Sequence, residues 1–90
     1  MKTYNSVWDA LSDNAAQAAN MKARAELMRA LQALVRASGW TQVEAARRCG
    51  ITQPRMNDLL RGRISRLSLD ALVNIAAASG REVRIALEMA

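Results

Sequence analysis

Between Gly39 and Gly80 the chain starts a helix three times in the same way. Thr41 precedes QVEAARRC, with Glu44 three residues on; Thr52 precedes QPRMNDLLR; Ser68 precedes LDALVNIAAAS. A hydroxyl just ahead of an apolar-periodic run accepts from backbone N–H groups that the first turn of a helix leaves without partners. Thr41 and Glu44 also have the spacing of a reciprocal capping box. Apolar pairs stand at the staple positions of all three starts: Trp40 with Ala45, Ile51 with Met56, and Leu67 with Leu72. Pro54 fits the same pattern. With Thr52 as N-cap it takes the second helical position, where a missing N–H loses nothing. Its fixed φ also stiffens a helix too short to be stable alone.

The first two of these helices are joined by Gly50-Ile51-Thr52, which makes them a helix-turn-helix candidate. Ala45 and Ala46 are small where such helices cross, and Gly50 supplies a positive φ in the turn. Cys49, Ile51, Met56 and Leu59 fall where apolar side chains must close the core. Two ordinary packed helices explain the apolar stripe but not this combination. Upstream, NAAQAANMKARAELMRALQALVRAS reads as a long helix to about Ala37, with Leu27, Met28, Leu31, Leu34 and Val35 on one face and Gly39 as C-cap. Ahead of it, one turn of helix is expected around SVWDAL. Downstream, REVRIALEM alternates Val83, Ile85, Leu87 and Met89 with Arg84, Ala86 and Glu88, the period of a β-strand. Such a strand would have to pair with a second copy or with another protein's sheet edge.

With 51% hydrophobic residues, 3% aromatics and no Phe, the chain is expected to fold as one small helical domain. No apolar run reaches the ~18 residues of a membrane span. The first residues lack the apolar segment of a secretory signal, and the single Cys49 cannot form an internal disulfide. A cytoplasmic location is therefore expected, with Cys49 as a small buried hydrophobe and the Met residues as core filler. No His and one Cys leave no usual metal site, and no cofactor is expected. Catalysis is not expected either: Asp9, Asp13 and Glu26 are isolated, and there is no Gly-rich phosphate loop. The charge, +5 in all, is uneven. Residues 41–66 hold Arg47, Arg48, Arg55, Arg61, Arg63 and Arg66 against Glu44 and Asp58, a net of +4. A basic concentration of this kind suggests a polyanionic partner.

TQVEAARRCGITQPRMNDLLRG resembles the helix-turn-helix of the XRE/Cro repressor superfamily. With NSVWDAL before it, GRISRLSLDALV after it and a closing GREVRIAL, the chain is similar to a narrower group, the small XRE-type antitoxins paired with RelE/HigB-like toxins. The likeness runs over roughly residues 5–88. It implies an all-α, lambda-repressor-like helix-turn-helix domain of four to five helices with a short C-terminal β-strand. Cys49 stands where that group usually has Leu, Asn57 where Ser is common, and Arg66-Leu67 where an aromatic often precedes the SL. The Asn57 departure means that an operator sequence cannot be carried over.

At about 100° per residue, Met56, Leu59 and Leu60 define the buried side of the second helix of the pair. Pro54, Arg55, Asn57, Asp58 and Arg61 then face away from the core, towards the major groove in this motif. Arg55 can pair with a guanine edge, Asn57 with an adenine, and Pro54 with a thymine methyl; Gln53 is a further reader. Gln42 resembles the superfamily's phosphate-contacting residue, and Thr52 opens a helix whose first N–H groups favour phosphate. Arg61, Arg63 and Arg66 are expected to grip the flanking backbone. Arg47 and Arg48 are expected to be solvated, and Asp58 to pair with Arg55 or Arg61.

The organisation expected is residues 1–20 as an N-terminal, partner-binding segment, 21–80 as the DNA-binding domain, and 81–90 as a strand for dimer or partner pairing. Trp8 is either a core or staple residue or an anchor in a partner's groove; Val83, Ile85 and Leu87 are the strand's contact residues. Three functions follow: a homodimeric repressor on a palindromic operator that also neutralises a RelE/HigB-like toxin, a phage-type regulator without a toxin, and an interaction module with a vestigial helix-turn-helix.

Overall fold

The computed structural model describes residues 7–89, with side chains from residue 14 onward. Four α-helices follow one another: α1 (Val7–Ser38), α2 (Gln42–Arg48), α3 (Gln53–Leu60) and α4 (Leu69–Ala78). A single 3-10 turn, Ile64–Arg66, lies between α3 and α4.

The expected break after SVWDAL is not there, and α1 runs unbroken through it. From Val7 to Ser38 there is no Gly or Pro, and the Ala-rich AAQAANMKARA has high helix propensity. Met28, Leu31 and Val35 of α1 are 3%, 3% and 4% exposed and form one wall of the core. Residues 14–22 of the same helix are exposed throughout. Trp8, assigned above to the core or to a partner, has its side chain outside the described residues.

All three hydroxyl caps form. Thr41 Oγ1 accepts from Glu44 N at 3.2 Å, Thr52 Oγ1 from Arg55 N at 3.3 Å, and Ser68 Oγ from Ala71 N at 3.1 Å. The capping box at α2 closes by only one of its two bonds. The Glu44 carboxylate turns outward to Arg47 and Arg48, each at 2.6 Å, instead of back to Thr41. Two guanidinium groups within one turn outcompete a single backbone N–H for a carboxylate. Arg48 also lies over the Trp40 ring, 5.0 Å from its centroid, so neither arginine is simply solvated.

Helices α2, α3 and α4 end alike. Ile51 N donates to Ala46 O, Arg63 N to Asp58 O and Arg81 N to Ala76 O, at 3.0, 2.9 and 3.0 Å. These are Schellman-type closures, with a Gly at the left-handed position before each donor. At Gly50 (φ +67°) a Cβ would stand 3.6 Å from Ala78 Cβ, so the turn sits close against α4.

The core joins Met28, Leu31 and Val35 to Ala45, Ala46 and Cys49 of the first motif helix and its cap. Met56 and Leu59 of α3, Leu67, and Leu72, Ile75 and Ala76 of α4 complete it. α1 packs mainly on α4 and α2 mainly on α3, the second pair being the helix-turn-helix.

The C-terminal strand does not form. Residues 81–89 are irregular, and the described residues contain no strand. A strand's backbone groups need a neighbouring edge, and the described residues, helical or irregular, offer none. Val83 packs against the core, whereas Ile85, Leu87 and Met89 are 82%, 99% and 99% exposed.

Candidate nucleic-acid interface

Helix α3 has a division of faces that only Asp58 breaks. Met56 and Leu59 are fully buried, while Gln53, Pro54 and Arg55 are exposed and Asn57 is half-buried. Gln42, first in α2, donates through Nε2 to Gln53 O at 3.3 Å. That bond brings the starts of the two motif helices together, so Gln42, Thr52, Gln53 and Pro54 share one end of the domain.

The arginines lie along the flank. Arg61 is exposed and makes no ion pair among the described residues. Arg63 and Arg66 bind Asp58 Oδ1 through Nη1, each at 3.1 Å. Arg55 donates from Nη1 to Arg66 O at 2.7 Å, and the same nitrogen lies 3.9 Å from Asp58 Oδ2. The predicted reader is thus drawn towards the two predicted grippers.

Asp58 corrects the helical-wheel reading, which put it on the open face. Its side chain is 12% exposed. The burial comes not from the core but from the segment after α3, which folds back over it. Arg55 is a partner as expected, at the longest of the three distances; Arg61 is not, and Arg63 and Arg66 take its place. Burial pushes the Asp58 carboxyl up, but the hydrogen bonds from Arg63 and Arg66 outweigh it and hold the group below the ordinary aspartate value. Hydrogen bonds from Arg47 and Arg48 lower Glu44 in the same sense, and burial raises the Cys49 thiol.

Three residues of α1 that the sequence did not single out hold the far end of α3. Gln32 Nε2 donates to Leu59 O at 2.8 Å, Arg36 Nη2 to Leu60 O at 3.2 Å and Arg24 Nη1 to Ile64 O at 3.3 Å. These carbonyls belong to the last turn of α3 and the segment beyond it, where intrahelical donors run out. Nothing in the spacing of α1 marks these side chains, because their acceptors lie 24 to 40 residues away.

The arrangement presents a short, well-anchored helix with polar side chains outward, beside a surplus of guanidinium groups. A domain family described as a helix-turn-helix domain matches residues 10–88. The chain belongs to this helix-turn-helix family. No curated protein matches it. α2 and α3, joined by Gly50-Ile51-Thr52 and packed on each other, have the arrangement of the motif's two helices. Among the described residues no cluster of His, Cys, Asp or Glu could hold a metal, and no helix is long and apolar enough to cross a membrane.

Proposed function

We propose that this helix-turn-helix protein is a sequence-specific transcriptional repressor and the antitoxin of a type II toxin–antitoxin pair. The observation that carries the DNA-binding part is α3: capped at both ends, buried on Met56 and Leu59, and exposed on Gln53, Pro54 and Arg55. In this reading Gln53, Pro54, Arg55 and Asn57 read base edges, and Gln42, Thr52, Arg61, Arg63 and Arg66 hold phosphates. A homodimer sets two copies of α3 about one DNA turn apart, ~34 Å, on a palindromic site. The protein has no catalytic role and works in the cytoplasm.

Support for a RelE/HigB-like toxin as second partner comes from the likeness of NSVWDAL, the Q-P of α3 and the SL-x-x-L of α4 to small antitoxins. The free apolar side chains of Ile85, Leu87 and Met89 offer a surface for such a partner or for a second copy. A pull-down from the native host, with and without nuclease, tests this. Recovery of a small basic protein encoded next door, retained after nuclease, is the expected result. Recovery of promoter DNA without a protein partner would leave a plain phage-type regulator.

A further inference from the structure

Asp58 is the one buried charged residue among those described, and it sits on the helix that should meet a polyanion. A carboxylate there repels phosphate, so its presence calls for a physical reason. The geometry supplies one. Asp58 Oδ1 binds Arg63 and Arg66 at 3.1 Å each, Oδ2 lies 3.9 Å from Arg55, and the Asp58 carbonyl accepts from Arg63 N at 2.9 Å. The Arg55 guanidinium also reaches Arg66 O, which closes the group into one network.

Three guanidinium groups around one carboxylate leave the cluster positive. Each guanidinium has five N–H donors, and Asp58 engages few of them. Arg55, Arg63 and Arg66 keep 46%, 38% and 58% of their side-chain surface exposed, so donors remain for DNA. Long arginine side chains lose rotamer freedom when they grip a ligand, and side chains already held lose less.

We propose that Asp58 is a positioning residue for DNA recognition. It fixes the base reader Arg55 and the backbone grippers Arg63 and Arg66 in one frame, so that sequence preference depends on a residue that touches no DNA. This rests on the DNA-reading assignment above. It runs against simple electrostatics, in which deleting a negative charge from a DNA-binding face tightens binding to every duplex.

The test begins by enriching a preferred duplex from a random pool with the wild-type protein. Wild type and Asp58→Asn are then titrated against that duplex and a scrambled one over a range of salt. The expected result for Asp58→Asn is a loss of roughly tenfold on the preferred duplex, the scale of one good side-chain-to-base pair. Affinity for the scrambled duplex falls less, because only the preferred duplex also loses the Arg55 base contact. The salt slope on the preferred duplex becomes shallower by about 0.9 for each phosphate that an arginine no longer grips.

Equal or tighter binding of the preferred duplex by Asp58→Asn would overturn the proposal. So would equal weakening on both duplexes together with a lower melting temperature, the mark of a merely structural role. If Asp58→Asn melts below the assay temperature, Asp58→Glu carries the test, because it keeps the charge but displaces the guanidinium groups. Its ratio of preferred to scrambled affinity must still fall, and a wild-type ratio sinks the idea. A wild-type protein that enriches no duplex removes the DNA-reading assignment and this inference together. A discriminating wild type with an unaffected Asp58→Asn removes Asp58 alone.

Discussion

Helix α1 closes the C-terminal end of α3 from outside, and Gln32 and Arg36 allow the importance of that closure to be measured. Gln32 Nε2 donates to Leu59 O at 2.8 Å in a partly buried setting, whereas the 3.2 Å bond from Arg36 to Leu60 O is exposed. Gln32→Leu keeps the bulk but removes the donor, leaving the Leu59 carbonyl with only its bond from Gly62 N at 3.1 Å. Losing one of its two hydrogen bonds, with the other kept, costs about 0.5–1.5 kcal/mol. Arg36→Ala exposes its carbonyl to solvent, which takes over the hydrogen bond, so the cost should stay within about 0.5 kcal/mol. Urea unfolding followed by helical circular dichroism reads both. With an m-value of about 1 kcal/mol/M, the low end for small proteins, the Gln32→Leu midpoint falls by roughly 0.5–1.5 M. Arg36→Ala should barely move it, and neither should change m. Equal midpoint shifts in the two variants would refute the reasoning, because burial would then not decide the worth of the bond.

Gly62 has φ +71°, and a Cβ there would meet Gln32 Nε2 at 3.6 Å, an ordinary contact. Gly62→Ala should therefore cost only what its backbone conformation demands, about 1–2 kcal/mol, partly offset by a stiffer unfolded chain, as read by thermal or urea unfolding. Met56 is fully buried, so Met56→Ala should cost about 2–5 kcal/mol in the same assay. Asp58 has its folded pKa held below the unfolded value, so its contribution is complete above about pH 4 and is lost as pH falls through the lower, folded pKa. Below about pH 4, wild-type stability should accordingly fall more steeply with acid than that of Asp58→Asn, measured by thermal melts across pH.

What the sequence makes legible here is local chemistry. The hydroxyls of Thr41, Thr52 and Ser68, the stripe of Met28, Leu31 and Val35, and the place of Pro54 all follow from rules that act within one or two helical turns. The misses have long-range or competitive causes. Asp58 lies off the apolar stripe of α3 and is buried only because residues 63–66 fold back onto it, which no helical wheel contains. Glu44 has a backbone N–H and two arginines within reach, and spacing alone does not rank them. The alternation of Val83, Ile85 and Leu87 has strand character, but a strand depends on an edge that the described residues do not offer. The continuity of α1 was within reach, since nothing between Val7 and Ser38 interrupts a helix. At the interface, the sequence separates the outward residues Gln53, Pro54 and Arg55 from the buried Met56 and Leu59. It does not reveal that Arg55, Arg63 and Arg66 meet at one carboxylate.

The central claim is that α3 reads DNA while the arginines beyond it grip the backbone. The most direct measurement is competitive binding of wild type, Arg55→Ala and Arg63→Ala to a preferred duplex and its single-base variants, repeated across salt. Arg55→Ala should lose about 1–3 kcal/mol on the preferred duplex and relax one base position. Arg63→Ala should weaken all duplexes alike and lower the salt slope by about 0.9. Identical behaviour of the two variants, or a wild-type protein indifferent to sequence, would contradict the account.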